Sequence, residues 1–380
     1  MSPITLLILI IVAVILLTGV LLAATPWLMR KRECFAVTIP ESAQSDPRFN
    51  AFRVRYAVLS LAVTVVCSVA AGVSTWVFSA QAADTASSEA LFTVMLLVAA
   101  LAPSVASFAA MLHYRKKVQA IKKEEGWKAE RAETVAFVGR EEEVPKPPSF
   151  AWNLVYLPII LATLAIGAML LSSAPDMVAA HIDLTGEVDE WMPSGPALVA
   201  FPVALEAFLG LCFAFSHWTV LRAKKDVDPS RPAVSAYAYG AFARAQSLLL
   251  VVGGALYTAI LGFTALLFFM DLMDPGVELA IIVGSTLVLL AASVAVSLAY
   301  GQSGSRLVKR LSEQDGMPAD DDALWKLGVF YFNKDDASMF VPARFGVGWT
   351  LNWARPSAWA AVVTFTLVTV AFVVGCNVLL

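Results

Sequence analysis

Long apolar runs separated by short polar stretches dominate the chain. A helix that crosses a bilayer core needs roughly 20 consecutive apolar residues. Eight stretches meet that length: 4–28, 56–79, 91–114, 152–173, 196–220, 245–270, 278–300 and 357–379. No Lys or Arg precedes the first run, which is about 25 residues long, and Arg30-Lys31-Arg32 follows it. A secretory signal has a basic start and a core of roughly 7–15 apolar residues. The first run is therefore read as an anchor with its N-terminus outside. The pattern predicts an all-α polytopic membrane protein of eight transmembrane helices.

Composition agrees with that pattern. Of 380 residues, 59% are hydrophobic and 15% charged, where a soluble domain has about 45–50% and about 25%. Disorder and a coiled coil do not fit. A net charge of −3 offers no basic field for a nucleic acid. Cys34, Cys67, Cys212 and Cys376 are too scattered for a disulfide scaffold or a metal clip.

Charge then orders the helices. The connections 29–55, 115–151, 221–244 and 301–356 carry 6, 9, 5 and 7 Lys or Arg residues, which is every one of the 27 in the chain. The alternate connections 80–90, 174–195 and 271–277 carry none and are acidic. The positive-inside rule places the basic connections in the cytoplasm and both termini outside. A multi-pass protein of a bacterial cytoplasmic membrane, with the lipid bilayer as its first partner, is the expectation. Four parts suggest themselves: a three-span block 1–114, a charged linker 115–150, a four-span block 151–300, and a cap with the last span, 301–380.

The linker begins with lysine pairs that could extend the third span as a charged helix, and ends in Pro145-Lys146-Pro147-Pro148, which stops one. It reads as a solvated linker or as an arm that docks a partner. Within the last connection, Asp320-Asp321-Asp322 leads into two aromatic runs on either side of Asn333-Lys334-Asp335-Asp336. Such runs around an Asn/Asp turn predict a hairpin or a compact cap. Trp325, Tyr331, Asn333, Asp336, Arg344 and Trp349 are its candidate residues, either holding a cap on the inner face or docking a cytosolic regulator.

The connection 174–195 is the most informative outer segment. It reads as a strand, a Thr185-Gly186 turn and a return strand, with Gly186 supplying a backbone conformation that a Cβ disfavours. On strand spacing His181 and Asp183 share a face, and with Glu187 and Asp189 they could bind a cation or a peptide's polar end. They could equally be a hydrogen-bonded clamp between two helices. One histidine is poor for zinc, and the spacing lacks the calcium-loop order, so neither metal nor cofactor is assigned.

Pro175, His181, Asp183, Gly186, Glu187, Asp189 and Trp191, set between two spans, resemble the signature loop of a bacterial membrane family related to the SdpI toxin-immunity and signalling protein. The resemblance covers roughly 150–220. Ile182 stands where the family usually has an aromatic residue, and Glu190 where it often has a basic one. Residues 322–352 are similar to a second uncharacterised domain found beside the first. The resemblance implies a non-enzymatic protein that meets an extracellular peptide, toxin or envelope signal.

Glu206 stands in the middle of the fifth span, four residues after Pro202. An ionisable group there costs on the order of 2.5–3.5 kcal/mol on insertion scales, so it should face protein or water. It reads either as a gating residue or as a hydrogen-bonded packing residue. His217 lies further along, near the inner end, as an expected interfacial residue. Small residues from Ala291 to Ala299 predict a closely packed seventh span. No zinc-protease, nucleophile-elbow or P-loop motif is present, so no enzyme is expected. The alternatives to an immunity or receptor role are a small-solute or ion transporter using Glu206 and a structural or assembly factor.

Overall fold

The computed structural model describes residues 3–30, 32–80, 86–128, 144–182, 188–225, 227–228, 231–311, 320–346 and 348–379. Eight of its helical stretches are long and apolar enough to span a membrane, so the chain is an all-α polytopic membrane protein. Helices α1 (Pro3–Leu28), α2 (Pro47–Ala80) and α3 (Ala86–Glu124) pack as one bundle. The α2 start is specified locally. The Asp46 carboxylate accepts from the Arg48 amide at 2.7 Å, and Pro47 opens the first turn. As its lysine pairs predict, α3 runs past the apolar stretch to Glu124, and Gly126 follows it at φ +67°.

The second bundle is built around α4 (Tyr156–Leu170), α5 (Ala197–Arg222) and α7 (Gly254–Phe269). Here the sixth span departs from expectation. Residues 232–244 form most of α6 (Pro232–Leu248), which joins α7 through a π-helical turn at Leu249–Gly253. Ser235, Tyr237 and Arg244 dilute the apolar window, but Pro232 is suited to a helix start and Ala238, Phe242 and Ala243 are buried. Gly240 lets the linker lie against α6, because a Cβ there would press on the Pro145 carbonyl.

Helix α8 (Pro275–Tyr300) is capped by Asp274, which accepts from Gly276 N at 2.8 Å and Val277 N at 3.2 Å. The expected close packing of this span is not found. None of its residues is buried, and Ser293 and Ser297 instead line a cavity of about 360 Å³ shared with α1 and α6. Short α9 (Ser305–Leu311) and the final α10 (Pro356–Leu379) complete the helices, with α10 against α5.

Among the described residues, four two-stranded antiparallel hairpins finish the fold. They are β1 (Glu33–Cys34) with β2 (Val37–Thr38), β3 (Met177–Ile182) with β4 (Val188–Pro193), β5 (Trp325–Lys326) with β6 (Phe330–Tyr331), and β7 (Phe340–Pro342) with β8 (Trp349–Leu351). The first, third and fourth lie together at the end of the bundle that carries the basic connections; the second lies at the opposite, acidic end. Asn333–Asp336 does not turn one strand onto its pair, as its sequence suggested. It connects two separate hairpins and is held from outside, the buried Asn352 amide donating to the Asn333 carbonyl at 2.8 Å and the Asp336 carbonyl at 3.1 Å.

Candidate functional site

The outer hairpin β3–β4 forms where the sequence predicts a strand and a return strand. Val178 pairs with Met192 in register, and both are buried against Leu198, Val199, Leu266 and Phe269 of α5 and α7. The alternate positions face away: Met177 and Trp191 are about half exposed. Ser194 closes the base, its amide donating to the Asp176 carbonyl at 2.9 Å and its hydroxyl to the Pro175 carbonyl. His181 lies on β3 opposite Glu190, with the register shifting on either side of it, and Asp189 lies on β4. Asp183, Gly186 and Glu187 lie outside the described residues.

Glu206 is fully buried where α4, α5 and α7 meet. The Thr163 hydroxyl of α4 donates to its Oε1 at 2.7 Å. Across the interface stands Gly262 of α7, where any Cβ would overlap the Glu206 carboxyl. The bundle is therefore shaped around this side chain. Glu206 Oε2 and, one turn along α7 from Gly262, the Thr258 hydroxyl are buried without a hydrogen-bond partner among the described residues, which leaves two orphaned polar groups in this bundle. His217 stands near the inner end of α5. It is fully buried, Asn153 Nδ2 lies 2.9 Å from its Nδ1, and the Phe150 ring stacks beside it.

The inner cap is held by a buried ionic cluster centred on Arg344, whose side chain is 1% exposed. Its guanidinium donates to the Ala36 carbonyl at 3.2 Å, to the Thr38 hydroxyl at 2.9 Å, and to the carboxylates of Asp321 and Asp322. Glu33 stands 3.8 Å away, and the Trp325 ring lies under the charge at 5.2 Å. Lys122, from the charged extension of α3, bridges Asp320 at 2.7 Å and Asp322 at 2.6 Å. Burial pushes the Asp322 carboxyl up, but Arg344, Lys122 and the Thr38 amide outweigh it and hold it at about 2. Burial also pushes Glu33 up, and there it outweighs Arg30 and Arg344.

A second anchor joins the cap to α5. The Lys224 amide donates to the Phe340 carbonyl at 2.8 Å, continuing the helix end into a bridge with β7. The Lys224 ammonium meets Asp336 at 2.7 Å, and the Tyr331 hydroxyl donates to the same carboxylate at 3.0 Å. Burial raises Asp336, yet Lys224 and Ser338 prevail and bring it to about 2. Trp349 packs on Phe242 of α6, and Gly348 exchanges backbone bonds with the Gln302 amide.

Of the cap residues singled out in the sequence, Arg344, Trp325, Tyr331, Asn333 and Asp336 form one connected cluster, the Trp325 ring touching both Arg344 and Tyr331, while Trp349 packs apart on Phe242. Glu33, a partner of Arg344, and Thr163 and Gly262, which stand against Glu206, carried no signal of their own, since each matters only through a residue far along the chain. Among the described residues, no group of three or more His, Cys, Asp or Glu is placed to hold a metal ion.

The profile of a domain of unknown function, DUF1648, matches residues 159–205, from α4 through the outer hairpin into α5. The profile of a family of unknown function, DUF5808, matches 334–359, from the cap into α10. No curated protein and no solved structure shows significant similarity to the chain. The chain is therefore a polytopic membrane protein that carries these two uncharacterised domains.

Proposed function

We propose that this is a non-enzymatic receptor or immunity-type protein of a bacterial cytoplasmic membrane, in which α5 couples an outer recognition hairpin to an inner cap. The observation that carries this reading is the continuity of α5. Its first turn buries the hairpin through Leu198 and Val199, and the residue after its last turn enters the cap through Ala223 and Phe340. A helix of 26 residues spans roughly 39 Å, enough to join two aqueous faces. The outward Met177 and Trp191, with the acidic Asp176 and Glu190 beside them, suit a peptide that is apolar and basic. The resemblance of the 175–191 loop to the SdpI-related family supports a peptide or toxin as the ligand, and the cap offers a surface for a cytosolic regulator. The test is a photo-crosslinking residue in place of Trp191 in native membranes. A secreted peptide in the adduct, lost with His181→Gln or Asp189→Asn at equal protein level, is the expected result; no peptide adduct rejects the reading.

A second reading, a proton- or ion-coupled transporter, is favoured by the orphaned Glu206 Oε2 and Thr258 hydroxyl. It requires pH-coupled flux in proteoliposomes that Glu206→Gln removes, and the absence of such flux would reject it.

A further inference from the structure

An apolar groove of about 880 Å³ runs between α5 and α10. Its floor is aromatic: Phe215 stacks on Phe365 at 5.2 Å, and Phe208 on Phe372 at 4.2 Å closes the deep end. Its lips are exposed apolar side chains such as Leu211. From Phe208 to Arg222 the groove follows roughly 21 Å of helix, more than the about 15 Å hydrocarbon depth of one leaflet. Its charge is confined to one end. There Arg222 is exposed and has no hydrogen bond or ion pair among the described residues, although Lys224, two residues on, is paired with Asp336. Ser357, in the first turn of α10, lines the same mouth, so the helix end adds amide dipoles favourable to an anion.

From this juxtaposition we infer that the α5–α10 groove is a binding site for one anionic phospholipid, its acyl chain along the Phe215–Phe365 floor and its phosphate at Arg222 and Ser357. The aromatic floor alone would accept any lipid. The unpaired guanidinium at headgroup level is what selects an anionic one, and it stands at the basic end, where the positive-inside rule places the leaflet that carries anionic headgroups. The occupant would brace α10 against α5, the helix that leads into the cap.

The test uses the full chain in nanodiscs of equal phosphatidylglycerol and phosphatidylcholine, with the lipid that remains bound after extraction counted by native mass spectrometry. One well-placed charge near the headgroups corresponds to about a fivefold preference, so wild type should retain phosphatidylglycerol over phosphatidylcholine by about that ratio. Arg222→Gln, a change at an exposed side chain, should bring the ratio to about one. Ala360→Phe, at an exposed position lining the groove, should lower retention of both lipids. Lys309→Gln, exposed on α9 at the same end, should keep the preference. Equal retention by wild type, an unchanged ratio in Arg222→Gln, full retention in Ala360→Phe, or an equal loss in Lys309→Gln would each overturn the site.

Discussion

Three carboxylates from two distant stretches of chain converge on Arg344, and the order of magnitude of that arrangement can be set. Removing one partner from a buried ion pair leaves an uncompensated charge and costs about 3–5 kcal/mol. Arg344→Met should therefore loosen the cap by that amount, because Asp322 would keep only Lys122 and Asp321 would lose its buried cation. Thermal unfolding of the purified protein measures this, and a loss below about 1 kcal/mol would contradict it. Acid provides an independent check. Asp322 and Asp336 sit at about 2, below their ordinary 3.8. A depressed folded value contributes stability above the unfolded value and loses it as protons return. Unfolding temperature should thus fall between about pH 4 and about pH 2, and Asp336→Asn should flatten part of that fall. A slope unaffected by Asp336→Asn would reject the Lys224–Asp336 anchor.

At the scale of elements, the fit of α5 to α7 depends on the pairing of the largest polar side chain in the layer with a residue that has none. Gly262→Ala forces the Glu206 carboxyl from its place, at a cost of about 1–3 kcal/mol for overpacking. In a Glu206→Ala background the same substitution meets an opened space and should cost far less. A double-mutant cycle reads the difference directly, and additive effects would mean the two residues do not compete for the same volume. The first hairpin is another such case. Phe35 and Ala36 occupy left-handed backbone at φ 45° and 59°, at roughly 1–2 kcal/mol each, where glycine or asparagine would be expected. Burial of Phe35 among Tyr56, Tyr114 and Phe345 offsets that strain. This is why the hairpin was illegible in the sequence: its strands are two residues long and its turn lacks turn residues. By contrast the outer hairpin showed itself in the sequence as two strand-like runs on either side of Thr185-Gly186, and its strands are six residues long. Glu206 could be picked out because an acid in an apolar run is costly wherever it lies. Thr163 and Gly262 are ordinary residues of apolar helices until the fold brings them to it.

For the whole molecule, the eight spans were readable because apolar length and the sorting of all 27 basic residues report independently on the same count. What sequence could not give is which helix ends meet. Arg30 of the first connection donates to the Pro342 carbonyl at 3.3 Å, and Lys122 of the second reaches Asp322 of the last; the cap thus ties both bundles at one end. The opposite end has its own ordered element, and α5 enters both, as does the continuous α6–α7, which packs on Trp349 of the cap and on the outer hairpin. That coupling is the central claim, and hydrogen exchange on the full-length protein in nanodiscs tests it most directly. Met192→Ala removes a buried side chain from beneath the outer hairpin without touching the cap. The account predicts faster exchange at Phe340–Pro342 and Trp349–Leu351 in this variant, with the amides of α2 and α3 unchanged. Cap protection identical to wild type, with the hairpin itself loosened, would contradict it.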